Sequence, residues 1–308
     1  MSILVVGSVA FDSLKTPSGS VDRELGGSAT FFGLAASHFT QVRVVAVVGD
    51  DFGPEQEAVF RNAKIDIRGL ERTKGKTFAW GGEYGENLNE AKTNFTDLNV
   101  FENFQPKIPK EYCNSEYLFL GNIHPTLQND VRKQMNGVKL VGGDTMNLWI
   151  NITRNELVET LKGVQVLLIN DGEAKLLAKE SNLPRAALKV LAMGPRALVI
   201  KHGEYGATIF FADGAFHGIG GHPFRAPTLP IEEVKDPTGA GDSFAGGFMG
   251  YLAGAGEVNR ETLKRAMFYG GVMGSFAVED FGTRRLQSVT RDEIEARFQI
   301  FRELTHLA

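Results

Sequence analysis

The strongest constraint on this chain is a series of short, nearly continuous apolar runs rich in β-branched residues, each stopping at a turn residue. Ile3–Val6 ends before Gly7, Val42–Val48 before Gly49 and Tyr117–Leu120 before Gly121. Val138–Val141, Val164–Ile169 and Ala197–Ile200 extend the series. Between most of them lie stretches with helical spacing, such as Ala29–Phe39, Pro54–Asn62 and Glu173–Lys179. Strands apolar on both faces and alternating with helices predict a doubly wound, mostly parallel sheet covered on both sides, an α/β fold. A single domain over residues 1–308 accommodates it. Ligands on such sheets lie at the carboxyl ends of the strands. That rule marks the residues following the runs: Asp12, Asp50, Asn122, Asp144, Asn170 and Lys201.

Two segments, about 14–25 and 73–104, break the alternation. The second is rich in Asn, Gly and Thr but also holds Phe78, Trp80, Tyr84 and Phe95, which argues against disorder. Together they predict a small β lid projecting from the main sheet. The net charge of −4 argues against a broad nucleic-acid surface, yet leaves room for a small phosphate ligand held by backbone amides. Cys113 is the only cysteine, which excludes an intramolecular disulfide and a thiolate metal cluster. The opening MSILVVGSVAF has no basic leader and reads as a first strand rather than a signal peptide. No apolar stretch reaches membrane-spanning length, so a cytoplasmic location is expected.

The segment DPTGAGDSFAGGF, Asp236 to Phe248, concentrates the chemistry. Apolar residues at Phe244, Phe248, Tyr251 and Leu252 share one helical face, so the loop Thr238–Gly241 opens a helix. A helix N-terminus presents unpaired N–H groups and a positive dipole end, which suits an anion whose charge grows during reaction. A carboxylate at Asp242 is repelled by that anion unless it has a task, such as taking a proton from an incoming hydroxyl. Capping a tight glycine turn is the other task open to it.

DPTGAGDSFAGGF resembles the C-terminal signature of the PfkB, or ribokinase-like, family of carbohydrate and nucleoside kinases, and the resemblance covers nearly the whole chain. LGGSATFFGLAASHF (Leu25–Phe39) looks like the family's N-terminal glycine-pair segment, and Asn170–Glu173 fits its NxxE motif. Lys201 through Gly206 resembles the KxGxxG turn on the nucleotide side, and Ser275–Gly282 the stretch bordering the adenine and a monovalent cation. The resemblance implies a ribokinase-like fold and ATP as phosphoryl donor with Mg²⁺. It implies Asp242 as general base, with Gly239, Ala240 and Gly241 as the anion hole. Asn170 and Glu173 would order Mg²⁺ and its waters, Glu173 acting through water; the same pair also reads as a helix cap. Lys201, Gly203, Gly206, Thr238 and Ala277 would line the nucleotide. Asp236 and Thr238, with carbonyls of Ala277, Asp280 and Gly282, would offer oxygens to K⁺. A serine often found four residues after that glycine is Leu286 here.

On the acceptor side the resemblance assigns Asp12 to sugar hydroxyls and Gly26 and Gly27 to close backbone approach; Asn122, marked by its strand-end position, is expected to bind substrate as well. Ribokinase-type enzymes carry Asn, Lys and Asn where this chain has Ala10, Ser28 and Phe31. A pocket that loses polar groups and gains Phe31 favours an acceptor with an apolar or aromatic part. The expected partner is therefore a sugar, polyol or nucleoside bearing a hydroxymethyl group, with no nucleic acid or membrane involved. A homodimer through the lid is also expected.

Two other functions compete. A non-catalytic nucleotide-binding regulator on this fold would not need Asp242 beside an intact anion loop. A dinucleotide-dependent oxidoreductase fails on spacing, because no GxGxxG follows Val6 or Val48.

Overall fold

The computed structural model describes residues 1–216 and 222–305. The N-terminal third contains β1 (Ser2–Val6), β2 (Ala10–Thr16), β3 (Gly19–Gly26), α1 (Ser28–Ser37), β4 (Gln41–Val48), α2 (Pro54–Asn62) and β5 (Asp66–Arg72). Then come β6 (Phe78–Tyr84), β7 (Ala91–Asp97), β8 (Tyr117–Leu120), α3 (Pro125–Lys133), β9 (Leu140–Gly143), α4 (Asn147–Ile152) and α5 (Arg154–Leu161). They are followed by β10 (Val166–Asn170), α6 (Asp171–Ala178), α7 (Leu183–Leu191), β11 (Ala197–Lys201), β12 (Ala207–Phe211) and β13 (Phe224–Ala226). The chain closes with α8 (Ala240–Ala255), α9 (Arg260–Ala277), α10 (Arg284–Ser288) and α11 (Arg291–Thr305).

The main sheet has the order β13-β12-β11-β10-β9-β8-β1-β4-β5 and is parallel from β11 to β5, with β12 and β13 added antiparallel at one edge. Its strands are buried on both faces, as their apolar runs require. Ile3 and Val5 face a core built with α1, α8, α9 and α11, while Leu4 and Val6 face one built with α3, α5, α6 and α7. Strand order reverses between β1 and β8, which opens a crevice at their carboxyl ends.

The second sheet, β3-β2-β6-β7, is the lid. It starts at Ala10 rather than near residue 14, so Asp12 lies inside a lid strand and not merely beyond β1. Strands β2 and β6 run parallel with Asp12 opposite Trp80 and Lys15 opposite Glu83. Period-two alternation therefore puts Asp12, Trp80 and Tyr84 on one face of the lid.

Candidate active site

The glycine loop does open a helix. Gly239 caps α8 with φ of 73°, a left-handed conformation suited to glycine, and the ring of Phe31 fills the place where its Cβ would stand. Phe31 is 1% exposed. Its ring packs against the loop at Gly239. The first intrahelical bond runs from Ser243 N–H to Gly239 O at 2.8 Å, and Ala240 N–H leans to Pro237 O at 3.3 Å. The N–H groups of Gly241 and Asp242 therefore face outward at the positive end of α8. The glycines later in the motif do other work. Gly247 and Gly250 let α8 close on α9 and α1, since a Cβ there would lie 2.5 Å from Tyr269 O and 2.8 Å from Ala36 Cα.

Carboxylates gather below this loop from separate strand ends. Burial, and then the charge of Glu173, push Asp242 up to about 6 against the opposing pull of Lys201. Asp144, one residue beyond β9, is held well above the ordinary range by burial and by Asp242, again opposed by Lys201. Its Oδ1 and the neighbouring Thr145 Oγ1 are buried without a hydrogen-bond partner among the described residues. Glu173 is also raised, chiefly by burial. It forms a capping box with Asn170: Asn170 N–H donates to Glu173 Oε2 at 2.8 Å and Glu173 N–H to Asn170 Oδ1 at 2.7 Å. Helix cap and site residue are thus one arrangement, because the cap fixes the carboxylate at the mouth of β10. Lys201, ending β11, points its Nζ at Gly241.

On the lid side Asp12 is 5% exposed and its carboxylate lies over Gly26. Burial and then Asp236 push it up to about 7. Tyr84 reaches from β6 to the glycine loop, its hydroxyl 3.1 Å from Thr238 Oγ1. Asn122 accepts from Trp149 Nε1 at 2.8 Å and stands beyond β8. Ser28 is tied to Ser8 by a buried pair of hydroxyls 3.2 Å apart.

The residues expected to border the nucleotide lie on the β11–β12 turn, at the end of α9 and in the glycine loop. Gly203 and Gly206 turn β11 into β12. Ala277 ends α9, and the turn after it brings Asp280 and Gly282 toward the glycine loop. Asp236 is 0% exposed and joins them, accepting Thr238 N–H at 2.8 Å on one oxygen and Gly282 N–H at 2.9 Å on the other. Asp50 leaves the site: it accepts Gly75 N–H at 3.0 Å and pins the turn into the lid. His124 caps α3 and His202 bonds Thr208 Oγ1 at 3.0 Å. Asp144 carried only its strand-end position as a signal, and Tyr84 only its place among the lid aromatics.

The pfkB family carbohydrate kinase pattern matches residues 2–290. A cytidine kinase from Thermococcus kodakarensis is 28% identical over 261 residues, covering 82% of this chain and 90% of its own. The nucleoside kinase of Burkholderia thailandensis, solved with inosine, superposes with a TM-score of 0.74 at 21% identity, over 97% of this chain and 98% of that one. A protein assigned as ribokinase II from E. coli, solved with ATP and Mg²⁺, gives a TM-score of 0.77 at 19% identity, over 97% and 99%.

Proposed function

The chain belongs to the pfkB carbohydrate kinase family, and from that premise we propose that it transfers the γ-phosphoryl group of ATP to the hydroxymethyl group of a nucleoside. The observation that carries the nucleoside assignment is the register of the lid, which sets Trp80 beside Asp12 on one face. A carboxylate that accepts from sugar hydroxyls then stands next to an aromatic plate of the kind a base stacks on. The likeness to a cytidine kinase and to nucleoside kinases supports the same reading.

In this mechanism Asp12 accepts from the sugar hydroxyls, the sugar lies against Gly26 and Gly27, and Asn122 contributes its amide. Asp242 takes the proton as the hydroxymethyl oxygen attacks the γ-phosphorus in line. The outward N–H groups of Gly241 and Asp242, with the turn through Gly239 and Ala240, receive the charge that develops on the phosphoryl oxygens. Lys201 neutralises the same charge from across the loop. Gly203, Gly206, Thr238 and Ala277 border the nucleotide.

Asp144, with a buried oxygen unpartnered among the described residues, and Glu173, presented by its cap with Asn170, fit a hydrated Mg²⁺. No group of three His, Cys, Asp or Glu side chains among the described residues could cage a metal by itself. That suits an ion held mostly by waters and ATP, and when bound it neutralises phosphate charge. K⁺ fits poorly. Both oxygens of Asp236 already accept N–H groups, and Leu286, 2% exposed, brings no oxygen to stand with Thr238, Ala277, Asp280 and Gly282. Turnover is expected to be similar in potassium and tetramethylammonium buffers. Use of ATP as the phosphoryl donor supports a cytoplasmic location. The exposed edge strand β7, which carries Phe95, is the lid surface through which two copies would pair, and sedimentation measures this.

The test is ADP formation from MgATP with cytidine, inosine, adenosine, ribose and fructose. A nucleoside is expected to exceed both free sugars in kcat/KM. Ribose or fructose exceeding every nucleoside overturns the acceptor assignment, and no acceptor-dependent ADP at all overturns the kinase.

A further inference from the structure

Tyr84 belongs to no motif, yet it bridges the two halves of the site. Its hydroxyl bonds Thr238 Oγ1 at 3.1 Å, Thr238 N–H bonds Asp236 Oδ1 at 2.8 Å, and Asp236 Oδ2 accepts Gly282 N–H at 2.9 Å. This chain of bonds runs from the lid through the residue preceding Gly239 to the turn after α9. The other lid bonds to this region, Thr16 Oγ1 to Lys235 O at 2.8 Å and Ser18 Oγ to Val234 O at 3.1 Å, meet the loop upstream of Asp236. They hold its approach and leave its glycines free. Tyr84 reaches the glycine loop itself, and it shares a lid face with Asp12. Burial, and after it the charges of Asp236, Asp12 and Asp242, push the phenol up to about 12, which keeps it neutral and able to hydrogen-bond at working pH.

We propose that Tyr84 is a positioning residue that ties closure of the lid over an acceptor to alignment of the glycine loop. The proposal rests on the kinase reading above. An acceptor held by Asp12 brings the lid down, and Tyr84 then sets Thr238 and, through it, the N–H groups that follow. Without an acceptor the lid lacks that anchor and is held to this segment by the neutral hydrogen bonds of Tyr84, Thr16 and Ser18, each a factor of about three to ten. The wasteful reaction is thereby slowed. In it a water oxygen bonds to the γ-phosphorus, the bond to the β–γ bridging oxygen breaks, the water proton passes to Asp242, and ADP and inorganic phosphate leave. A lid that aligns the loop only over an acceptor favours transfer over this leak.

The test compares wild type with Tyr84→Phe and Thr238→Ala, after circular dichroism and Tm establish that each is folded. ADP release is measured with MgATP alone and with MgATP plus whichever of cytidine, inosine or adenosine the wild type uses best. Tyr84→Phe is expected to lower the acceptor-stimulated rate about three- to tenfold while ATP hydrolysis without acceptor and the KM for ATP stay within twofold. The double variant is expected to lose no more than the larger single loss. Equal stimulation in Tyr84→Phe and wild type overturns the proposal. So does a parallel fall in both rates, the mark of a merely structural residue, and so does simple additivity in the double variant. Wild-type transfer in the same assay reports on the acceptor class, and the variant ratio reports on Tyr84.

Discussion

The Nζ of Lys201 lies 2.8 Å from the point where a Cβ on Gly241 would stand. The cation at the end of β11 and the first turn of α8 therefore close on each other, and a side chain at 241 would have to displace the Lys201 ammonium. Gly241→Val would push the ammonium away and place a branched group where phosphate must approach. Turnover is expected to fall by at least about 10²-fold, with circular dichroism unchanged. Normal turnover in a folded Val variant would mean that the phosphates lie elsewhere.

Asp242 can cap α8 or take a proton, and its environment favours the second. No side-chain capping bond is made at this helix start, and burial holds the carboxyl above its ordinary value. Asp242→Asn keeps the shape and removes the base. A loss of about 10²–10⁴-fold in kcat is expected, with MgATP affinity by calorimetry nearly unchanged.

Asp144 has a buried oxygen with no partner among the described residues, and Asp144→Asn tests whether that oxygen serves the metal. The Mg²⁺ concentration needed for half-maximal turnover is expected to rise about 10- to 100-fold, the scale on which residues around a metal act. The acceptor KM should stay within about twofold. A rise in acceptor KM with unchanged Mg²⁺ dependence would move Asp144 to the sugar side.

The pH dependence has a defined sign. Asp242 must lose its proton to act, so acceptor kcat/KM should climb through about pH 6 and level off above it. Stability runs the other way. The folded chain keeps a proton on Asp12 up to about 7, whereas the unfolded chain releases it near 3.8. This contribution is complete below about 3.8 and is lost as pH rises through about 7. The Tm of the ligand-free protein should therefore fall between about pH 4 and pH 7, and Asp12→Asn should flatten that fall while weakening acceptor use. An unchanged slope in Asp12→Asn would place the titration on other groups.

What could be read from the sequence was local. Pro54–Asn62 forms its helix to the residue, because proline, acidic first turn and apolar spacing agree. The glycine loop was equally legible, carrying its turn chemistry and the following helical face in one stretch. Strand β9 was expected at Val138–Val141 and forms at Leu140–Gly143. Glycine hides a strand from its pattern, and Gly142 is there because a Cβ would meet Met249 Sδ at 2.7 Å. The position of Phe31 in its motif was visible and its contact with Gly239 was not. Tyr84 and Asp144 depend on pairings between distant segments, the lid with the glycine loop and β9 with α8. No spacing rule within one stretch records those.

The lid is built from two separate excursions of the chain. Strands β2 and β3 leave β1 and feed straight into α1, whereas β6 and β7 lie between β5 and β8. The first half carries Asp12 and is continuous with the main framework, so it cannot be cut away without severing β1 from α1. The second half is inserted between β5 and β8 and brings Trp80 and Tyr84. It is the part that could be exchanged as a cassette between related kinases. A chimera with residues 73–104 from a sugar-specific relative would carry a foreign stacking surface onto an unchanged phosphoryl-transfer engine.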